Sequence, residues 1–237
     1  MAIQLQSALN LTSHTSGVQA VAFSPDGNVL ASGTADGTIT LWTIPRGGQS
    51  ATLAARAGAI NQLAFSKDGS HIAAACGDGT VRIWQMPSGR VPETLLLDAR
   101  HAHSVAFSPI GNLLAAGTSE GTIGLYQLDA PAEYARTGSG GIRGTGSLNM
   151  PGTRPQSIFS AANDDPTVLR SKKLVYSVDF SPDGKMLIAG VDDGSIRVFE
   201  ITEPGKPEYR AMMTIPAQSQ YPVYSAKMAN HTVLLAS

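Results

Sequence analysis

The sequence predicts an all-β chain built from one small sheet repeated along its length. Three observations carry that prediction: two blocks recur together four times, aromatic landmarks return at a fixed spacing, and short apolar runs alternate with Gly, Pro, Asp and Ser turns. The first block reads VAFSPDGNVLASG at 21–33, LAFSKDGSHIAAA at 63–75, VAFSPIGNLLAAG at 105–117 and VDFSPDGKMLIAG at 178–190. The second follows at constant distance: ADGTITLW at 35–42, GDGTVRIW at 77–84, SEGTIGLY at 119–126 and DDGSIRVF at 192–199. Phe23, Phe65, Phe107 and Phe180 stand 42, 42 and 73 residues apart, and Trp42, Trp84, Tyr126 and Phe199 repeat those intervals. The unit is therefore 42 residues long, with 31 extra residues between the third and fourth copies.

Each element follows from local chemistry. Val21-Ala22-Phe23 predicts a strand. Ser24-Pro25-Asp26-Gly27 predicts a tight turn, with proline holding φ near −65° and glycine free to take positive φ. Leu30-Ala31-Ser32-Gly33 predicts the second strand, Asp36-Gly37 a hairpin turn, and the run ending at Trp42 the third strand. The strands are apolar or small on both faces, as sheets stacked between neighbouring sheets require, and alanine and glycine let the stack close up. That architecture is a β-propeller. The expected layout is a single domain, with blade repeats over about 14–42, 56–84, 98–126 and 171–199. A partial fifth at 219–237 places Ser237 at the position of Ser32. Four complete four-stranded blades and a truncated fifth predict an incomplete ring, a fragment of a longer propeller with one blade face exposed. The Gly138-Ser139-Gly140-Gly141 stretch with Pro151, Pro155 and Pro166 predicts a flexible insertion over 131–166.

Composition removes several functions. Among 237 residues, 17 Lys+Arg oppose 18 Asp+Glu, so the charge needed for non-specific nucleic-acid or anionic-membrane binding is missing. No apolar run reaches the roughly 18 residues that span a bilayer. Residues 1–25 carry no charged side chain and hence no basic signal-peptide region, so a cytoplasmic location is expected. The lone Cys76 rules out an internal disulfide framework and reads as a small strand residue. No phosphate-binding glycine motif and no nucleophile elbow occurs, so no cofactor is expected. His101-Ala102-His103 puts two imidazoles on one side of a strand, but a metal would need a third ligand, and the expectation is none.

The period and the two blocks resemble the WD-repeat family, in which each repeat supplies one four-stranded blade. The resemblance implies a structural tetrad, complete only in the first copy as His14, Ser32, Asp36 and Trp42. The second copy keeps Asp78 and Trp84 beside Arg56 and Ala74; the third offers Asp98, Ala116, Glu120 and Tyr126; the fourth Ser171, Ala189, Asp193 and Phe199. It also implies recognition positions on one loop face. On the first strands these are Gln19, Asn61, His103, Tyr176 and Tyr224, with His101 two residues earlier and Ser119 and Asp192 before the turn acids. These are also the places where the repeat stops repeating. The implied function is a non-catalytic scaffold for protein or peptide partners, with Tyr176 and Tyr224 as anchors. The alternative is a regulatory or targeting module of a larger enzyme, of the kinase or protease type. A propeller hydrolase is disfavoured because the channel-side positions read as mostly Ala, Val and Gly.

Overall fold

A computed structural model describes residues 10–44, 46–87, 93–97, 99–110, 113–128, 156–157, 173–201, 209–216, 221–229 and 232–236. The first sheet comprises β1 (Val18–Phe23), β2 (Val29–Thr34), β3 (Thr38–Thr43) and β4 (Gly48–Ala54). The second comprises β5 (Ile60–Phe65), β6 (His71–Cys76), β7 (Thr80–Gln85) and β8 (Glu93–Leu96). The third holds β9 (Ala102–Phe107), β10 (Leu113–Thr118), β11 (Ile123–Gln127) and β12 (Gln156–Ser157). The fourth holds β13 (Val175–Phe180), β14 (Met186–Val191), β15 (Ile196–Ile201) and β16 (Tyr209–Ile215). All four are antiparallel meanders in chain order, and β17 (Ser225–Ala229) pairs with β18 (Thr232–Ala236) in a two-stranded fifth.

The turns form as their chemistry dictates. Ser24 Oγ donates to Asp26 Oδ1 (2.6 Å), Gly27 N to the Ser24 carbonyl (2.9 Å), and Gly27 sits at φ +71°. The same serine–aspartate clasp recurs at Ser66–Asp68 and Ser181–Asp183. One expectation needs correction. The stretch 131–166 is not linker throughout, because Gln156–Ser157 within it pairs with Gly124 and Leu125 as the fourth strand of the third sheet. A two-residue strand after Pro155 leaves no periodicity to read. The rest of that stretch lies outside the described residues, as do Asp98, Ser171 and Ser237.

The core lies between sheets. Ala31, Ile39, Leu41 and Leu53 of the first sheet pack against Ile60, Leu63, Ile72, Ala74 and Trp84 of the second. Ala73, Ala75, Val81 and Ile83 then meet Val105, Leu114, Ala116 and Tyr126, and the pattern continues to the fifth sheet. Burying one such leucine or isoleucine contributes about 1.5–3 kcal/mol. Among the described residues no strand pairing joins the first sheet to the last, and Val21 (63% exposed) and Phe23 (62%) face outward on β1.

Polar bracing differs from sheet to sheet. In the first, Trp42 Nε1 donates to Ser32 Oγ (2.7 Å), Ser32 Oγ meets His14 Nε2 (2.8 Å), and the His14 ring stands edge-on to Trp42 at 5.3 Å. Asp36 takes its bonds from Thr34 Oγ1 (2.6 Å), Thr38 N (3.0 Å) and Thr15 Oγ1 (3.5 Å). The expected four-membered tetrad is therefore a three-membered network beside a separately closed turn. Thr34 and then Thr38 hold the Asp36 carboxyl below its ordinary range. Where serine and histidine are missing, an arginine on the third strand reaches the turn acid instead: Arg82–Asp78 (3.4 Å) and Arg197–Asp193 (3.9 Å). In the third sheet the matching position is Gly124, and a Cβ there would lie 2.6 Å from the Tyr126 hydroxyl. The tyrosine that replaces tryptophan fills the arginine's space.

Candidate functional site

The first strands of all five sheets line a central cavity of about 570 Å³. A repeated backbone irregularity builds its rim. The β1–β2 register skips between Val18 and Ala20, and β5–β6 between Ile60 and Gln62. The β9–β10 ladder passes from Ala102 to Ser104, and β13–β14 skips between Val175 and Ser177. The residues left out of the ladders are Gln19, Asn61, His103 and Tyr176. A bulge re-aims the side chain it carries, which gives these positions a physical reason to diverge while their neighbours repeat. Tyr224 stands just before β17 at the corresponding place.

Over the third, fourth and fifth sheets the rim is a ladder of rings. His101 and His103 have centroids 6.1 Å apart, His103 and Tyr176 5.9 Å, and Tyr176 and Tyr224 4.9 Å, all tilted by 55–57°. The Ser119 hydroxyl accepts from the His101 backbone N–H (3.2 Å), and His101 Nδ1 lies 2.5 Å from the Gly77 carbonyl oxygen. That nitrogen therefore carries the proton. Burial, and then the neighbouring His101, push His103 below the usual imidazole range and favour its neutral form. Burial raises the Tyr176 hydroxyl, helped by the nearby Asp192 carboxylate and by Tyr224. The strand before Asp192 is tied back through Asp192 N to the Leu174 carbonyl (2.9 Å).

The structure thus brings His101, His103, Ser119, Tyr176 and Tyr224 into one run of contacts, with the Asp192 carboxylate near enough to act on the Tyr176 hydroxyl. The other two candidates line the same cavity but stand outside this run. Asn61 Nδ2 donates to the Ala102 carbonyl (2.7 Å), so this amide stitches two sheets together, and Gln19 stands exposed on the outermost sheet. Tyr221, 63% exposed beside Tyr224, escaped the residue pattern, although the run Tyr221-Pro222-Val223-Tyr224 carries it in plain view. The wall also corrects the expected Ala, Val and Gly lining. Gln62, Ser177, Asp179, Ser225 and Lys227 contribute to it, and Lys227 pairs with Asp179 (3.4 Å).

Among the described residues no group of three or more His, Cys, Asp or Glu is placed to hold a metal. Burial pushes the Cys76 thiol up to about 11, with Asp78 adding to the shift, so it stays protonated and unreactive at neutral pH.

A protein-family profile described as "WD domain, G-beta repeat" matches residues 5–43, 47–85 and 166–200. Protein Mut11 of Chlamydomonas reinhardtii is 57% identical over 37 residues, which is 16% of this chain and 10% of that protein. Among solved structures, the β-propeller domain of Myceliophteria thermophila Cps50 (Swd1) superposes with a TM-score of 0.68 at 16% identity, over 90% of this chain and 59% of that one. U3-55K gives a TM-score of 0.65 at 14% identity, over 90% of this chain and 55% of its own. The chain therefore spans less than two thirds of each of these three proteins, and the structural likenesses speak to fold alone.

Proposed function

The chain belongs to the WD-repeat β-propeller family, and from that premise we propose that it is a non-catalytic scaffold whose ring ladder receives a protein or peptide partner. The carrying observation is the unbroken run from His101 to Tyr224 across three sheets, set on bulges above a cavity. Aromatic side chains dominate interface energetics, with about 2 kcal/mol or more at a hot spot. Rigid strands hold these rings, so little freedom is lost on binding. Four complete blades and a two-stranded fifth, unpaired between first and last sheets, support reading the described assembly as an open arc.

Affinity selection from a displayed peptide library tests the reading, using the whole chain as bait. Peptides captured by the unaltered protein should be released by the double substitution His103→Ala/Tyr176→Ala, while its circular dichroism and melting stay unchanged. Undiminished capture by the folded double variant would overturn the proposal.

A further inference from the structure

The fourth strand of each complete sheet is an outer edge, and an outer edge presents backbone N–H and C=O groups that can pair with another chain unless something blunts it. Three of the described outer strands are blunted. β8 runs four residues and opens on Glu93, β12 runs two, and β16 carries Arg210. β4 is long and uncharged. It runs seven residues, Gly-Gln-Ser-Ala-Thr-Leu-Ala, without a proline, and the five from Gly48 to Thr52 are all exposed. Among the described residues no strand pairs with its outer side. Beyond the ring ladder, we propose that the outer edge of β4 is a second docking site, which takes an extended partner segment with carboxylates at both ends as a fifth strand of the first sheet.

Register and charge define the occupant. The β3–β4 ladder slips once, leaving Ser50 out, and the Ser50 hydroxyl donates to the Leu41 carbonyl (3.1 Å). That bond ties the irregularity to the inner neighbour. Ala51 to Ala54 pair with Leu41 to Thr38 in unbroken register, so a regular stretch of edge remains. Exposed Arg46 and Arg56 stand beyond the two ends of β4, and no Asp or Glu occurs from 37 to 67. No ion pair among the described residues engages either arginine. Arg56 also holds φ +52°, a left-handed conformation that glycine takes freely and a side chain takes under strain. A role for its guanidinium accounts for so strained a choice. A second copy of this chain fits the edge poorly. Antiparallel pairing about Ala51 would set Arg46 of one copy opposite Arg56 of the other at both ends, and like charges across a ladder oppose pairing. Carboxylates at those places do the reverse, and their bidentate hydrogen bonds with guanidinium fix the register. Main-chain bonds along the edge supply the affinity.

Fluorescence polarisation with the whole chain tests this, using labelled Asp-Glu-Thr-Val-Thr-Val-Thr-Glu-Asp. One counterpart carries lysine at the four acidic positions; another is N-methylated on the five central residues, which keeps the charge and removes the pairing. Each should bind about tenfold more weakly or worse. Arg46→Gln/Arg56→Gly should weaken the acidic peptide about tenfold without lowering the melting temperature, since glycine suits the backbone at position 56. His103→Ala/Tyr176→Ala should leave this binding unchanged, so the edge and the ring ladder stand or fall separately. No binding of the acidic peptide, equal binding of its N-methylated counterpart, or loss of binding in the His103→Ala/Tyr176→Ala variant overturns the edge site. So does self-association of the unaltered chain in sedimentation that the two arginine substitutions strengthen, which would make a second copy the occupant.

Discussion

The first and fourth sheets are copies of one pattern, and they differ in how several of their positions meet what lies outside the sheet. Phe23 is 62% exposed, whereas Phe180 is 5% exposed under the third sheet. Ser32 centres a hydrogen-bonded network with His14 and Trp42; its counterpart Ala189 is fully buried among apolar neighbours. Thr40 corresponds to Arg197, which holds Asp193. Gln19 corresponds to Tyr176, at the centre of the ring ladder. The comparison teaches that sheet identity and sheet role are written in different residues. Turns and strand cores repeat, while bracing and rim residues answer to what lies beside each copy.

The largest effect that could break this account is at the shared phenylalanine. Phe180→Ala should destabilise by about 3–5 kcal/mol through a buried cavity, whereas Phe23→Ala should cost less than about 1 kcal/mol. Urea unfolding of both variants checks it, and equal losses would mean that the face of the first sheet is covered in solution. Next comes the network. Ser32→Ala leaves the Trp42 and His14 ring nitrogens without their shared hydroxyl and should cost about 1–3 kcal/mol. The mirror change Ala189→Ser introduces a hydroxyl among apolar side chains and should also destabilise. A neutral Ser32→Ala in the same titration would show that the network braces nothing. The smallest difference is at the turns. Asp36→Ala should lower the midpoint measurably, because three residues donate to that carboxylate. Glu120→Ala should leave it nearly unchanged, since Thr118 and Thr122 close that turn directly through their hydroxyls (2.6 Å). Equal shifts would place the weight of both turns elsewhere.

Much of the fold was legible because turn chemistry is local. The Ser-Pro-Asp-Gly and Asp-Gly pairs state where strands end, and the spacing of Phe23, Phe65, Phe107 and Phe180 states how often. The short β12 was not legible, since Gln156 and Ser157 carry no pattern and their pairing with β11 is decided at long range. Nor was the separation of Asp36 from His14, which depends on where Thr15, Thr34 and Thr38 place their donors. The rim was half legible. Variation at positions 19, 61, 103 and 176 marked them out, but the bulge that aims them is a register property that appears only once β-ladders form. Sequence could not tell that Asn61 would spend its amide on Ala102, leaving the ladder to begin at the third sheet.

The most direct test of the central claim places a photo-crosslinking residue, p-benzoylphenylalanine, at position 224 or at position 19 in otherwise unaltered chains, each irradiated with a library-selected peptide. The two sites occupy the same place in the repeat, one at the end of the ring ladder and one on the outermost sheet. The account predicts efficient crosslinking from position 224 and little from position 19. Equal yields, or crosslinking confined to position 19, would contradict the ladder as the recognition surface.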